Sequence, residues 1–331
     1  MRVLCVLNPQ AASGHALQLW PQIAEWLDAF GLEHVRLSLA GPPAAVEDQV
    51  CAWLASAGGL PDAVAGIGGD GTHCGVINGL LRYHELQPNV PLPPYAFIPL
   101  GTGNDIAKSL GIVIREPIPS RDLRRSVAAI AHGADYRMDL GRVGGTYFAN
   151  AMTVGLDSRI LRERNVRKRR IERLPVIRSL VRGRLLYALS LARPFVRQNR
   201  VAAAIGVDGR TWYEGPMVNV VILNTRIYAG DFDFSPLTYA DDGLLDVVLF
   251  KGHTDYLAKY LLAIRFNPGR IRELSEHLSK VSSHVQARRV RLELSRPELA
   301  QCDGEELPET RSLDVEVVPR VLWIRTPVEP V

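Results

Sequence analysis

Sulfur chemistry has little to work with in this chain. Its four cysteines, Cys5, Cys51, Cys74 and Cys302, are scattered and show no CxxC spacing. That argues against structural zinc and against a disulfide framework, and it fits a reducing compartment. No run of about 18 apolar residues occurs, so no transmembrane helix is expected. The N-terminus runs straight into an apolar strand, Arg2 to Leu7, without a charged and then apolar leader, so no signal peptide is expected. The histidines show no HExxH or comparable metal spacing, and no GxxxxGK followed by Ser or Thr marks a P-loop. There is no internal repeat and no low-complexity tract. A cytoplasmic protein is the expectation.

Aromatic residues make up only 7% of the chain, and none interleaves its most basic stretch, Arg167-Lys168-Arg169-Arg170. Stacking platforms for nucleic acid are therefore missing, and no nucleic-acid partner is expected. Positive charge is concentrated. Between Arg162 and Arg184 there are ten Lys or Arg against two Glu, while the whole chain is net +4, so the remainder is net −4. Leu174, Ile177, Val181, Leu185 and Ala188 fall near one helical face in that stretch. A cationic amphipathic helix of this kind suits an anionic bilayer, and it equally suits packing on its own domain.

What is present is a chain of 331 residues, 47% hydrophobic and 22% charged, which is a globular composition with room for about two domains. Strand-like runs Val3–Leu7, Val35–Leu39, Ala63–Ile67 and Ala96–Leu100 alternate with helical patterns at Ala16–Phe30, Ala44–Ala57 and Thr72–Tyr83. A further helix, Arg121–Ala131, follows a proline-rich connector. That alternation predicts a parallel α/β domain over about 1–135. Beyond it the strand-like runs follow one another, beginning with Met138–Val143 and Thr146–Val154 and ending with Asp314–Val318 and Val321–Arg325. They predict a mostly antiparallel β-sandwich domain over 136–331, with helical insertions around 157–198 and 254–265 and its last residues packing back on the first domain.

The most telling residues are two glycine-rich turns, each after an apolar strand and each opening a helix. They are Gly68-Gly69-Asp70-Gly71-Thr72 and Gly101-Thr102-Gly103-Asn104-Asp105. Glycine lets backbone approach a ligand closely. A helix that begins there points unpaired N–H groups and a positive dipole end outward. Two such turns form a bed for a polyphosphate. Asp70 puts a carboxylate in that bed, so a bridging Mg²⁺ is implied.

GGDGT at 68–72 and PLGTGND at 99–105 resemble the catalytic domain of the diacylglycerol kinase family, which includes bacterial soluble lipid kinases and the sphingosine and ceramide kinases. GGDGT alone is shared with NAD kinases; the combination with a late Cys302-Asp303-Gly304-Glu305 is more specific. Asn8-Pro9 with Ser13-Gly14 looks like the family's first nucleotide loop, and Asp242-Gly243-Leu244-Leu245-Asp246-Val247 looks like its metal turn. The resemblance implies a two-domain fold like that of NAD and diacylglycerol kinases. It also implies ATP as donor, Mg²⁺, and a lipid hydroxyl as acceptor, with diacylglycerol the default. ATP would meet Asn8, Ser13, Gly68, Gly69, Asp70, Gly71, Thr72, Gly101, Thr102 and Asn104. Asp303 and Glu305 fall on the catalytic motif, and either could take the hydroxyl proton. The metal positions are Asp70, Asp242, and the carbonyls of Tyr239 and Leu244. Expected partners are the lipid acceptor and a peripheral membrane contact through 162–190, on the inner face of the membrane; a homodimer is allowed. The competing readings are a kinase for a soluble acceptor such as NAD, and a non-catalytic nucleotide- and membrane-binding protein.

Overall fold

The computed structural model describes residues 1–41, 45–112, 120–171, 200–229, 232–233, 238–258 and 283–327. The helical face at 174–188 and most of both expected helical insertions lie outside the described residues.

The chain begins with β1 (Arg2–Leu7), α1 (Ala16–Ala29), β2 (Glu33–Ser38), α2 (Val46–Ser56), β3 (Ala63–Gly68), α3 (Asp70–Leu86), β4 (Tyr95–Pro99), α4 (Asp105–Ser109) and α5 (Ser120–His132). The strands pair in the order β2-β1-β3-β4, all parallel. β1 and β3 are buried on both faces, which is why they read as unbroken apolar runs, whereas β2 at the sheet edge is half exposed. One face packs on α1 and α5 through Val3, Leu7, Ile23, Leu27, Val127 and Ile130. The other packs on α2 and α3 through Leu4, Val6, Val50, Ile77 and Leu80. Each such side chain, fully buried, contributes about 1.5–3 kcal/mol.

The second half contains β5 (Ala134–Val143), β6 (Thr146–Phe148), β7 (Ala151–Gly155), α6 (Leu156–Ile171), β8 (Val201–Val207), β9 (Arg210–Met217), β10 (Asn219–Leu223), β11 (Ile227–Tyr228), β12 (Phe232–Asp233), β13 (Leu245–Phe250), β14 (Ser283–Ala287), β15 (Arg289–Cys302) and β16 (Glu305–Thr326). Residues 253–258 are helical. Except where β16 meets β4, these strands pair antiparallel around a core that includes Met152, Ile205, Ile222, Val247 and Leu292.

β16 joins the two halves. Along its length it pairs antiparallel with β15 and β5, and near its end Ile324 and Arg325 pair parallel with Tyr95 and Ala96 of β4. One sheet thus runs from β14 to β2. α3 is also stitched across. The Asn78 side chain donates to the Tyr147 carbonyl at 2.9 Å, and the Tyr147 N–H donates back to Asn78 Oδ1 at 2.9 Å. That reciprocal pairing satisfies polar groups buried between α3 and β6.

Two strand expectations need correction. Thr146–Val154 is not one strand but β6 and β7, broken at Ala149-Asn150. Asp314–Val318 and Val321–Arg325 are not two strands but parts of β16, which slips register between Val318 and Leu322.

Candidate active site

Both glycine turns lie at the C-terminal ends of adjacent parallel strands, where open α/β sheets bind ligands. α3 begins at Asp70, with Gly69 in extended backbone before it. The turns touch. A Cβ on Gly101 would stand 2.6 Å from Gly69 Cα and 2.7 Å from Asn104 Oδ1, so only glycine fits there without backbone movement. Asn104 holds the left-handed conformation at φ 54, which suits Asn better than most side chains. It closes the second turn by accepting the Gly101 N–H and donating to the Gly101 carbonyl, both at 2.8 Å. Thr102 is exposed at the tip.

Asn8 brings in the loop after β1. Its Nδ2 donates to Thr72 Oγ1 at 2.8 Å, and the Ala12 N–H donates to the Leu100 carbonyl at 3.0 Å. The Ser13 backbone belongs to a short 3-10 turn over Ala12–Gly14, and its side chain lies outside the described residues.

Asp70 turns its carboxylate toward the start of α4, where Oδ1 accepts the Ile106 N–H at 3.4 Å. Burial pushes its pKa up, and the amides at 104–106 oppose that push. Asp105, which sequence reasoning left out of the site, brings a second carboxylate close. A Cβ on Gly103 would lie 3.1 Å from Asp70 Oδ2 and 3.3 Å from Asp105 Oδ1. Two carboxylates around a glycine at a helix start form an all-oxygen donor set that fits Mg²⁺.

The β15–β16 turn enters this site from the other half of the chain. Asp303, in left-handed backbone at φ 46, is gripped by the break between β6 and β7. Its Oδ2 accepts the Ala149 N–H at 2.7 Å, and its Oδ1 accepts those of Asn150 and Ala151 at 2.9 and 2.8 Å. Burial pushes its pKa up to about 6 against those three bonds, and the nearby Asp70 charge adds to the rise. Glu305 is exposed, and a Cβ on Gly71 would stand 3.2 Å from its Oε1. Asp70, Asp303 and Glu305 are thus brought to one place from positions more than 230 residues apart in the chain.

A model of the diacylglycerol kinase catalytic domain matches residues 2–143. A model of the YegS C-terminal NAD kinase beta sandwich-like domain matches residues 153–326, more than half of the chain. The chain belongs to the diacylglycerol kinase and YegS-like lipid kinase family. A probable YegS-like lipid kinase of Shewanella frigidimarina is 25% identical over 260 residues, covering 78% of this chain and 75% of that one. A diacylglycerol kinase of Bacillus subtilis is 24% identical over 249 residues, 74% of this chain and 71% of that one. Among solved structures, a diacylglycerol kinase from Bacillus anthracis superposes with a TM-score of 0.71 at 22% identity, covering 98% of this chain and 96% of that one, which shows a shared fold.

In this chain the expected metal turn is tied to the Asp303 grip, because Asn224 Nδ2 donates to the carbonyls of both Asp139 and Ala149, at 2.8 and 2.9 Å. Asp242 Oδ1 accepts the Leu244 N–H at 2.9 Å, and Tyr239 is 47% exposed. Asp139, which the motifs did not mark, holds the turn from beneath. It accepts the N–H groups of Gly243 and Arg320, both at 2.6 Å. Burial pushes the Asp242 carboxyl up, and the neighbouring charges of Asp246, Asp139 and Asp241 add to it. The neighbouring carboxylates and the oxygen donors fit a hard cation, although no cluster of three metal-ligating side chains occurs among the described residues.

His73 is a residue whose role the sequence understated. It is fully buried, and burial holds its pKa down at about 3, so the ring is neutral. Its Nε2 lies 3.1 Å from the Gly68 carbonyl and its Nδ1 lies 2.7 Å from the Tyr95 hydroxyl. A carbonyl only accepts, so Nε2–H donates to Gly68 and the Tyr95 O–H donates to Nδ1. The ring thereby fixes the carbonyl at the head of the first glycine turn. No helix among the described residues is long and apolar enough to cross a membrane.

Proposed function

We propose that this chain is an ATP-dependent kinase that transfers the γ-phosphoryl group to a lipid hydroxyl, with diacylglycerol as the default acceptor. Family membership supports lipid phosphorylation. The observation that carries the finer reading is the convergence of Asp70, Asp303 and Glu305 on two touching glycine turns. The backbone amides of Gly69, Gly71, Thr102 and Gly103 would cradle the triphosphate, with Asn8 and Thr72 closing one side. Asp70, with Asp105 beside it, would hold Mg²⁺, which supplies charge neutralisation on the phosphates when bound. Asp242, with the Tyr239 and Leu244 carbonyls, would hold a second, structural Mg²⁺.

The proton of the acceptor hydroxyl needs a base within hydrogen-bond reach of it. Asp303 has both oxygens engaged by backbone amides. Glu305 is exposed beside Gly71. We therefore assign proton acceptance to Glu305 and fixation of the turn to Asp303. The α/β region over 1–135 binds the nucleotide in this reading, and 136–331 supplies the base and the acceptor surface.

The test is mass spectrometry of products formed from a total lipid extract with ATP and magnesium. The expected result is a lipid carrying one added phosphate, absent with Asp70→Ala, a variant that keeps its folded circular dichroism. Phosphorylated NAD with no phosphorylated lipid would instead assign a soluble acceptor. Running the reaction on anionic vesicles at low and high salt reads the peripheral membrane contact. An electrostatic contact weakens with salt.

A further inference from the structure

The turn bearing Asp303 and Glu305 is held by one continuous stretch of chain, β7 and α6. β7 pairs with the end of β15, Val154 opposite Ala300 and Met152 opposite Cys302, and the amides at 149–151 hold Asp303. α6 follows β7 directly. From it Arg159, Arg162 and Asn165, spaced three apart, reach Glu298 on β15 and then Glu309 and Glu306 on β16.

These contacts are not equal. Arg162 and Glu309 meet at 2.7 Å with side chains 50% and 52% exposed, and such surface pairs contribute little. Arg159 and Glu298 are 15% and 6% exposed. Their contact is two-pronged: Arg159 Nε donates to Glu298 Oε1 at 3.1 Å, and a terminal nitrogen donates to Oε2. Removing one partner of a buried pair strands the other charge.

The clamp also falls where the ladder is weakest. The β15–β16 register shifts on both sides of Glu298, and Pro297 has no N–H to donate. Between Glu293 and Ala300 the β15–β16 ladder keeps one pair, Glu298 opposite Thr310.

We propose that Arg159 is a positioning residue: through Glu298 it sets the place of the Asp303–Glu305 turn over Gly71. The catalytic half of this inference rests on the lipid-kinase reading; the mechanical half does not. Arg159→Met and Glu298→Gln in the full chain are compared with Arg291→Met, which breaks an exposed pair with Glu293 on the same strand. Hydrogen exchange is read at the amides of Ala149, Asn150, Ala151 and Gly304, and steady-state kinetics are normalised to the folded fraction. Both buried-pair variants are expected to speed exchange at those amides by about tenfold. They are expected to lower kcat per folded molecule by about tenfold to a hundredfold, as small displacements of reacting groups do. Nucleotide affinity stays within about twofold, because neither glycine turn touches the pair. Arg291→Met changes none of these. Unchanged exchange at those amides in Glu298→Gln overturns the proposal. So does a loss of kcat and nucleotide affinity together, in step with the folded fraction. A wild-type chain that phosphorylates no lipid refutes the kinase reading, while the exchange result still decides the clamp.

Discussion

Replacing Asp303 by Asn isolates the energetic consequence of placing a carboxylate beside Asp70. Burial, with the Asp70 charge, lifts the Asp303 pKa from 3.8 to about 6. The folded chain therefore holds that proton more tightly than the unfolded chain. The stabilisation is fully present below 3.8 and is lost as pH rises through about 6. Above that range the ionised group costs about 3 kcal/mol of stability, since each tenfold change in proton affinity is worth about 1.4 kcal/mol. Asparagine is neutral at every pH and tolerates left-handed backbone, but its one acceptor oxygen serves the Asn150 and Ala151 amides while its NH2 faces the Ala149 N–H, a pH-independent cost of about 1–3 kcal/mol. Relative to wild type, the variant should gain about 1.5 kcal/mol of stability between about pH 5 and about pH 7.5.

Urea unfolding at the two pH values, in magnesium-free buffer, measures the difference. Magnesium must be absent because a cation on Asp70 would offset the repulsion. Comparing the two chains cancels the opposite contribution of His73, which is common to both. A variant less stable than wild type by the same margin at both pH values would refute the reasoning, because the carboxylate would then be at ease as an anion. This relative gain should accompany reduced turnover, as expected where a site is strained for function.

Other outcomes follow from the same geometry. Gly101→Ala drives a methyl against Gly69 Cα, 2.6 Å away, and should destabilise by about 1–3 kcal/mol and lose most of the thermal shift that ADP gives wild type. An unchanged shift would mean the turns do not form the nucleotide bed. His73→Ala leaves Gly68 O and the Tyr95 hydroxyl without their ring partner and opens a cavity, at a cost of about 3 kcal/mol or more. With the His73 pKa held at about 3, the unfolded chain takes up that proton first. Wild-type stability should therefore fall as pH drops from 6.5 toward 3, and this contribution should vanish in the variant, as acid titrations of both chains would show.

Much of the first half was legible because its signals are local. Parallel strands buried on both faces read as apolar runs, and the expected Ala63–Ile67 and Ala96–Leu100 differ from β3 and β4 by a residue or so. The glycine turns announced themselves through composition. The β6–β7 break was not legible: Thr146 to Val154 has the composition of one strand, and only the arrival of Asp303, about 150 residues later, uses the three free amides at 149–151. Asp139, Arg159 and Glu298 were missed for the same reason. Each is an ordinary charged residue in sequence, and its importance comes from a partner that pairing of distant strands supplies. His73 had a partial signal, a histidine directly after a phosphate-type turn, but its function depends on Tyr95 standing beside it on β4. The amphipathic stretch at 174–188 lies outside the described residues.

The most direct test of the central claim is a crystal structure with ADP and magnesium. The account predicts the phosphates on the amides of Gly69, Gly71, Thr102 and Gly103, with magnesium against Asp70 and the Asp303–Glu305 turn facing the vacant γ-position. Phosphates bound elsewhere, or magnesium with no contact to Asp70, would contradict it.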